Sequence, residues 1–363
     1  MHLIGKLLVS TSMIIAAAQT ISAPVVQHVS GALSHGGLIT ISGSDFGTKA
    51  KAAPLVWDDA TGVDVGEKWD GAWPSTIGPY NVAYHTPMRN IGLPHNHNTR
   101  YIAGDQYSPT VATAVAGGAY GGGDVMVFKN INVRQPFNVY ASWYQRLDDS
   151  WTFGTNNNIK TFAYSVCCSP YQMPNNWYTA YGPPHPTSSS DRGSQWLITD
   201  DGKSLINPDL NGHNAWWGHA VNPAAGKWSK VEVAVKLTAQ DNGYIRVYEN
   251  GKRVMNYAGP TDKYAGTART IGIGGWSLIK APHNWRYFAD IYLDTSLSRI
   301  VLANNSVLAQ ATIVENQIPS SWSDTVITAT VNLGQFQAGE TAYLFVVDST
   351  GTSSASGLPV AVR

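Results

Sequence analysis

The sequence predicts an all-β protein of antiparallel sandwiches, and three observations carry that prediction. The first is the stretch Lys227–Val254, where Val231, Val233, Val235 and Leu237 alternate with Glu232, Ala234 and Lys236. A period of two places the valines on one face of a strand and the polar residues on the other. Ile245 and Val247 repeat the pattern beyond Asp241-Asn242-Gly243, and Asn250-Gly251 can supply the positive φ angles of a tight second turn. The second observation is that short β-like runs separated by Gly, Pro and Asn fill the middle of the chain, with no amphipathic helix of ordinary length among them. The third is composition: 13% charged residues against 35 Gly, 13 Trp and 18 Tyr suits an exported all-β chain better than a helical cytosolic one.

At 363 residues the chain can hold two domains, each with its own core. Lys+Arg and Asp+Glu are both 24, so no global field recruits nucleic acid or an acidic membrane. The N-terminus has a basic start at Lys6, an apolar run from Leu7 to Ala18 and the small-x-small triplet Ala16-Ala17-Ala18. That reads as a signal peptide over residues 1–18, with a buried first helix as the alternative. The run is too short and too interrupted by Ser and Thr to span a membrane, and no later segment is apolar for long enough. A secreted, extracellular product is expected. Cys167 and Cys168 are adjacent, so no long-range disulfide framework exists; they form either a vicinal disulfide or two small residues facing opposite sides of a strand.

Pro24–Gly47 contains two alternating runs, Val25–Val29 and Leu38–Ser42, around a Gly-Gly turn. Through Gly36, Ile39, Ile41, Gly43, Phe46 and Gly47 it resembles the opening of IPT/TIG domains, small immunoglobulin-like sandwiches that start on GxxITIxGxxFG. Two strands cannot bury a core alone. The far end, Arg299–Arg363, offers the missing half: Val326, Thr328 and Thr330 alternate with Ile327, Ala329 and Val331, and Tyr343–Val347 is strongly apolar. The resemblance implies one Ig-like domain split between residues 24–56 and 298–363, with residues 57–297 inserted, and a surface for protein contacts. The alternative is two unrelated fragments packed on the central domain.

In the insertion, β-like runs occur at Arg100–Ala103, Val125–Phe128, Phe137–Arg146, Asn158–Val166, Gln195–Thr199, His213–Val221, Thr270–Trp276 and Trp285–Asp294, besides the central hairpin. The pattern GKWxKVEVxVKL…DNGxIRVYENGK…IGIGGW…YFADIYLD resembles the second half of concanavalin A-like lectin/glucanase jelly rolls, several polysaccharide lyases among them. The fold expected is therefore a two-sheet antiparallel jelly-roll sandwich plus a small Ig-like β sandwich. The resemblance implies glycan binding or cleavage on the concave face, although this superfold hosts enzymes, lectins and structural modules alike.

Glycosidase chemistry needs two carboxylates a few ångströms apart. No E-x-D-x-x-E occurs, Glu249 sits at a turn, and a strand would throw Asp148 and Asp149 to opposite faces. A lyase instead needs a base for the proton α to a uronate carboxylate, with cations or amides to neutralise that carboxylate. His219 and Tyr144 are the candidate bases, and Arg146 and Lys160 the candidate carboxylate partners. His213, Trp217 and His219 share one face of a strand, Lys160, Phe162 and Tyr164 another, and Tyr140, Ser142, Tyr144 and Arg146 a third. The R-S/T-E-L/V-R, Q-I/V-H and Y-F-K-A-G patterns of jelly-roll alginate lyases are absent.

Glycan binding asks for aromatic faces and a few polar groups. Tyr164, His213, Trp217, Trp177, Tyr178 and Trp285 are the candidates, with Tyr171–Pro186 as a loop walling the groove and with Trp143 and Trp228 assigned to the core. Asp58 or Asp59 with Asp290 or Asp294 could hold a structural Ca²⁺. His95-Asn96-His97 lacks a third ligand at a recognisable spacing. Gly117–Gly123 precedes a strand rather than a helix, and no G-x-S-x-G occurs, so nucleotide and serine-hydrolase chemistry lack support. The expected function is recognition of an extracellular polysaccharide. The alternatives are a lyase acting on a uronic-acid glycan and a non-catalytic adhesion or assembly module.

Overall fold

The computed structural model describes residues 22–62, 64, 81–84, 99–102, 113–118, 125–134, 136–147, 149, 158–166, 176–181, 196–200, 215–216, 226–261, 268–274 and 284–363. The chain is all-β; among the described residues its helical structure is one 3-10 turn, Leu308–Gln310. The first strands are β1 (Val25–Gly31), β2 (Leu38–Ser44), β3 (Val56–Asp58), β4 (Asn81–Tyr84), β5 (Thr99–Ile102), β6 (Thr113–Gly118) and β7 (Val125–Asn132). There follow β8 (Phe137–Leu147), β9 (Asn158–Val166), β10 (Asn176–Tyr181), β11 (Trp196–Asp200), β12 (Ala215–Trp216) and β13 (Trp228–Leu237). Then come β14 (Tyr244–Glu249), β15 (Lys252–Ala258), β16 (Ala268–Gly274) and β17 (Asn284–Asp294). The last five are β18 (Arg299–Ala303), β19 (Val314–Trp322), β20 (Val326–Thr330), β21 (Thr341–Val347) and β22 (Leu358–Ala361).

Strands from both ends of the chain share one sheet, ordered β1-β2-β20-β19-β18-β21-β22. Ile39 pairs with Ala329 and Ile41 with Ile327, so the N-terminal hairpin adds directly to the C-terminal strands. β19 makes the corner: Gln317 pairs with Ile300 in β18, Ile318 pairs with Thr330 in β20, and the ladder slips between Pro319 and Ser321. A strand that changes partners at a bulge folds one sheet into the two layers of a small sandwich. Its core joins Leu33, Ile39, Ile41 and Phe46 to Ile300, Leu302, Ile327, Leu344, Val346 and Val362. A bridge between Leu33 and Val362, with Arg363 N–H donating to Leu33 O at 2.8 Å, ties the two ends together.

The middle of the chain forms the jelly-roll sandwich. One layer, here the hairpin sheet, runs β15-β14-β13-β8-β17-β6-β5, with β3 also on β17; the opposite sheet runs β12-β11-β10-β9-β16-β7-β4. Val231, Val233, Val235, Val139, Ala141 and Trp143 from the first layer meet Phe162, Ile271 and Ile273 from the second. Trp143 stacks on Phe162 with ring centroids 6.4 Å apart. The valine alternation of Lys227–Val254 thus supplies one wall of this core. Asn250 (φ 48°) and Gly251 (φ 74°) make the tight β14–β15 turn, and Gly251 lies so close to Ala311 O that a Cβ would collide with it. Glycine there serves the docking of the hairpin tip on the terminal sandwich as well as the turn.

Several expectations change. Asn176–Tyr181, read as part of a groove-walling loop, is a strand. Of the expected strand His213–Val221 the described residues are Ala215–Trp216, and they form a strand. The short or Gly-rich β4 and β6 carry no legible alternation. Trp143 is in the core as expected, but Trp228 is half-buried against Tyr144 and Ala289 on the other side of the sheet. Residues 1–18, Cys167-Cys168 and His95-Asn96-His97 lie outside the described residues, of which no helix is long and apolar enough to cross a membrane.

Candidate functional site

The outer face of the hairpin sheet, opposite its valines, is built from Tyr140, Ser142 and Tyr144 of β8, Lys230, Glu232 and Ala234 of β13, and Tyr292 of β17. Register fixes their neighbourhood: Lys230 lies opposite Tyr144, Glu232 opposite Ser142, and Ser142 opposite Tyr292. This part of the face is closed. The terminal sandwich lies on it through β19 and the turn after β20, and Tyr140, Tyr144 and Tyr292 are fully buried.

Glu315 of β19 is the centre of the contact. Its Oε1 accepts the Tyr144 hydroxyl at 2.5 Å and the Gln335 N–H at 3.1 Å, and its Oε2 accepts Lys230 Nζ at 2.9 Å. Lys230 Nζ also donates to Val314 O, and Gln335 Nε2 donates to the Tyr144 oxygen at 2.8 Å. Gly334 (φ 52°) brings the turn in so closely that a Cβ would fall on the Glu315 carboxyl. Beside it Asn316 Nδ2 donates to Ser142 Oγ at 2.7 Å, and Tyr140 donates to Glu232 Oε1 at 2.6 Å. The Arg299 guanidinium covers the Tyr140 ring at 4.2 Å. Polar groups shut away from water persist only when paired in this way.

This burial corrects the reading of Tyr144 as a base in an open groove. Burial first, and then the charge of Glu315, push the Tyr144 phenol well above its ordinary pKa, so near neutrality it is a protonated donor with no path to a substrate. Tyr140 is raised for the same reason, with Glu232 as the charged neighbour. Arg146, at the end of the same face, has Nη2 2.8 Å from Asp149 Oδ1 and its guanidinium 5.2 Å from the Tyr287 ring. Trp285 also belongs to the hairpin sheet, opposite Gly117.

Lys160 and Tyr164 lie on β9 in the opposite sheet and Tyr144 and Arg146 on β8 in the hairpin sheet, so Lys160 does not share a sheet with the other two described lyase candidates, Tyr144 and Arg146. Phe162, expected beside Lys160 on one face, is buried between the sheets. Trp177 pairs with Ala163 and Thr199, and Tyr178 with Phe162 and Ile198, in the middle of the opposite sheet. His213, Trp217 and His219 lie outside the described residues.

Among the described residues, which include the four aspartates weighed for Ca²⁺, no three His, Cys, Asp or Glu side chains come together. Asp58 Oδ1 accepts Ala60 N–H and Asp59 Oδ1 accepts Thr61 N–H, each at 2.9 Å, as turn carboxylates do. Asp290 occupies the bulge of β17 at φ 48° and accepts Asn332 Nδ2 at 3.1 Å. Asp294 has Lys49 Nζ 2.7 Å from Oδ2 and accepts Thr295 N–H at 2.7 Å. An ammonium group is its charged partner there.

The Lys49–Asp294 pair lines a cleft of about 570 Å³ with Thr48, Lys51, Leu55, Ile131 and Asn132. Burial lowers the Lys49 pKa more than Asp294 raises it, and burial raises the Asp294 pKa more than Lys49 lowers it. Each group in the folded protein thus resists its charged form. Raised above its unfolded value, Asp294 binds protons more tightly in the folded state, so its contribution to stability is largest at low pH and is lost as pH rises through the folded pKa. Lys49, lowered, contributes more as pH rises from its folded pKa toward the ordinary lysine value. Lys49→Met, which strands a buried carboxylate, should therefore cost about 3 kcal/mol at pH 7 and progressively less on acidification, as Asp294 takes a proton. Urea midpoints across pH 4–8 measure this; a pH-independent loss would contradict it.

No family model and no curated protein sequence matches the chain. Among solved structures, it is similar to a variant of the alginate lyase Aly36B in complex with alginate tetrasaccharide (12% identity, 67% of this chain and 98% of that one, TM-score 0.46). It is also similar to an endo-β-1,4-glucuronan lyase from the fungus Trichoderma reesei (11% identity, 64% and 97%, TM-score 0.42). A third is the carbohydrate recognition domain of Emp47p (8% identity, 69% and 99%, TM-score 0.38). These identities and scores are low, and the functional reading rests on this chain's own residues.

Proposed function

We propose that the protein is an exported carbohydrate-active protein that holds a polysaccharide on the outer face of the opposite sheet, and that residues 24–56 and 298–363 form one IPT/TIG-like domain carrying the jelly roll. The observation behind this reading is the closure of the hairpin sheet. With Tyr140, Tyr144 and Tyr292 sealed beneath β19, the jelly roll's remaining broad face belongs to the opposite sheet, where Trp177, Tyr181 and Trp216 occupy register positions on the face away from Phe162 and Ile271. Aromatic rings are the side chains on which sugar rings stack, and a strand platform orders them at low entropic cost.

The β-elimination alternative loses Tyr144 as base and keeps His219, with Lys160 as a carboxylate partner. Two measurements separate the readings. Affinity electrophoresis through neutral and acidic polysaccharides should show retention that weakens about tenfold in Trp177→Ala and is unaltered in Tyr144→Phe. New absorbance in the ultraviolet band of unsaturated uronates would identify a lyase, and its loss in His219→Ala would identify the base. A protein retained by no polysaccharide and yielding no unsaturated product is not carbohydrate-active.

A further inference from the structure

The cover thins toward the far end of the hairpin sheet, where Lys236, Tyr244, Arg246 and Tyr248 are half-buried and Arg253 is exposed, and we propose that this partly open part of the outer face, from Lys236 across β14 to Arg253, is a second binding surface, selective for an acidic glycan. It does not rest on the polysaccharide site proposed above, which lies on the other sheet. Cross-strand register sets out three rows on this face. Lys236 lies opposite Tyr244 and Tyr244 opposite Ala258; Ala234 opposite Arg246 and Arg246 opposite Asn256; Glu232 opposite Tyr248 and Tyr248 opposite Arg253. Lys236, Tyr244, Arg246 and Tyr248 are half-buried, and Arg253 is exposed.

Within these three rows Lys236, Arg246 and Arg253 stand beside one carboxylate, that of Glu232, which is buried and accepts the Tyr140 hydroxyl. The surplus positive charge lies on the open part of the face, and like charges in adjacent rows stand only about 7 Å apart along the strands. Arg246 is the pivotal group. Its guanidinium lies 4.1 Å from the centre of the Tyr244 ring, and its Nε is buried with no hydrogen-bond partner among the described residues. A guanidinium stacked on an aromatic ring keeps its in-plane N–H groups for a planar oxyanion, and carboxylate matches that fork in two parallel bonds. Tyr244 holds the guanidinium in place, and the half-buried Tyr248 in the next row is an aromatic side chain of the kind sugars stack on. Cation fork and aromatic ring together fit a uronic-acid chain better than a neutral glycan, which would leave the guanidinium unpaired.

The test is affinity electrophoresis of the full chain through alginate, with laminarin as the uncharged control. Double-stranded DNA and phosphatidylserine vesicles probe general attraction to polyanions. Arg246→Ala should weaken alginate retention about tenfold, while Arg246→Lys, which keeps the charge but loses the fork and the stacking, should recover only part of it. Arg253→Glu, at an exposed position, reverses a charge without touching the core and should weaken retention several-fold; added salt should weaken it further. The dependence on Arg246 should persist in Trp177→Ala, which separates this surface from the site on the opposite sheet. Unchanged alginate retention in both Arg246→Ala and Arg253→Glu would overturn the proposal. So would retention of DNA or vesicles as strong as that of alginate.

Discussion

Lys230→Met is expected to lower the stability of the folded protein by about 3–5 kcal/mol, the cost of leaving a fully buried Glu315 carboxylate without its ammonium partner. The Tyr144 hydroxyl and the Gln335 N–H would still reach Glu315 Oε1, but neither carries a charge. The loss should be specific to the broken pair. Lys230→Met combined with Glu315→Leu removes both charges and should recover most or all of the lost stability, because well-packed apolar groups replace buried ion pairs at little cost. Urea unfolding of the two single variants and the double variant completes the cycle. Equal midpoints for wild type and Lys230→Met would show that the sandwich does not seal this face in solution.

Removal of residues 299–363 should have a still larger effect. β2 would lose its partner β20, and Ile39, Ile41 and Phe46, now at most 1% exposed, would face water. The same cut uncovers Tyr140, Tyr144 and Tyr292 on the hairpin sheet. Each side chain released costs roughly 1.5–3 kcal/mol of burial. The open edge of β2 would in addition present unpaired N–H and C=O groups to other molecules. Aggregates in size-exclusion chromatography are the expected outcome. A monodisperse truncation that unfolds cooperatively would show that the N-terminal hairpin and the jelly roll are stable without the C-terminal strands.

Much of the fold was legible along the chain. The valines of β13 and the Asn-Gly turn after β14 announced the hairpin, because a period of two and a positive-φ dipeptide are local properties. The candidate site was legible only in part. Tyr140, Ser142 and Tyr144 were correctly placed together on one face of β8, whereas Trp177 and Tyr178, read as part of a loop, lie on a strand of the opposite sheet. What misled was the choice of face. Both faces of β8 are rich in aromatic and apolar residues, since one packs against Phe162 and the other against the terminal sandwich. Periodicity distinguishes two faces without saying what covers either. No signal near Tyr144 names Glu315 as its partner, 171 residues away.

By itself the sequence determined the β class, the strands with clear alternation, the tight turn at Asn250-Gly251 and the pairing of like patterns at the two ends. Each follows from steric and solvation preferences acting over a few residues. Only the tertiary structure decided which part of the hairpin sheet is closed, that Tyr144 is a buried donor, that Lys49 pairs with Asp294, and that the half-buried Arg246 is stacked on Tyr244 with its Nε unbonded among the described residues. These depend on how one sheet is laid over another, and the desolvation and charge pairing that follow arise between residues far apart in the chain.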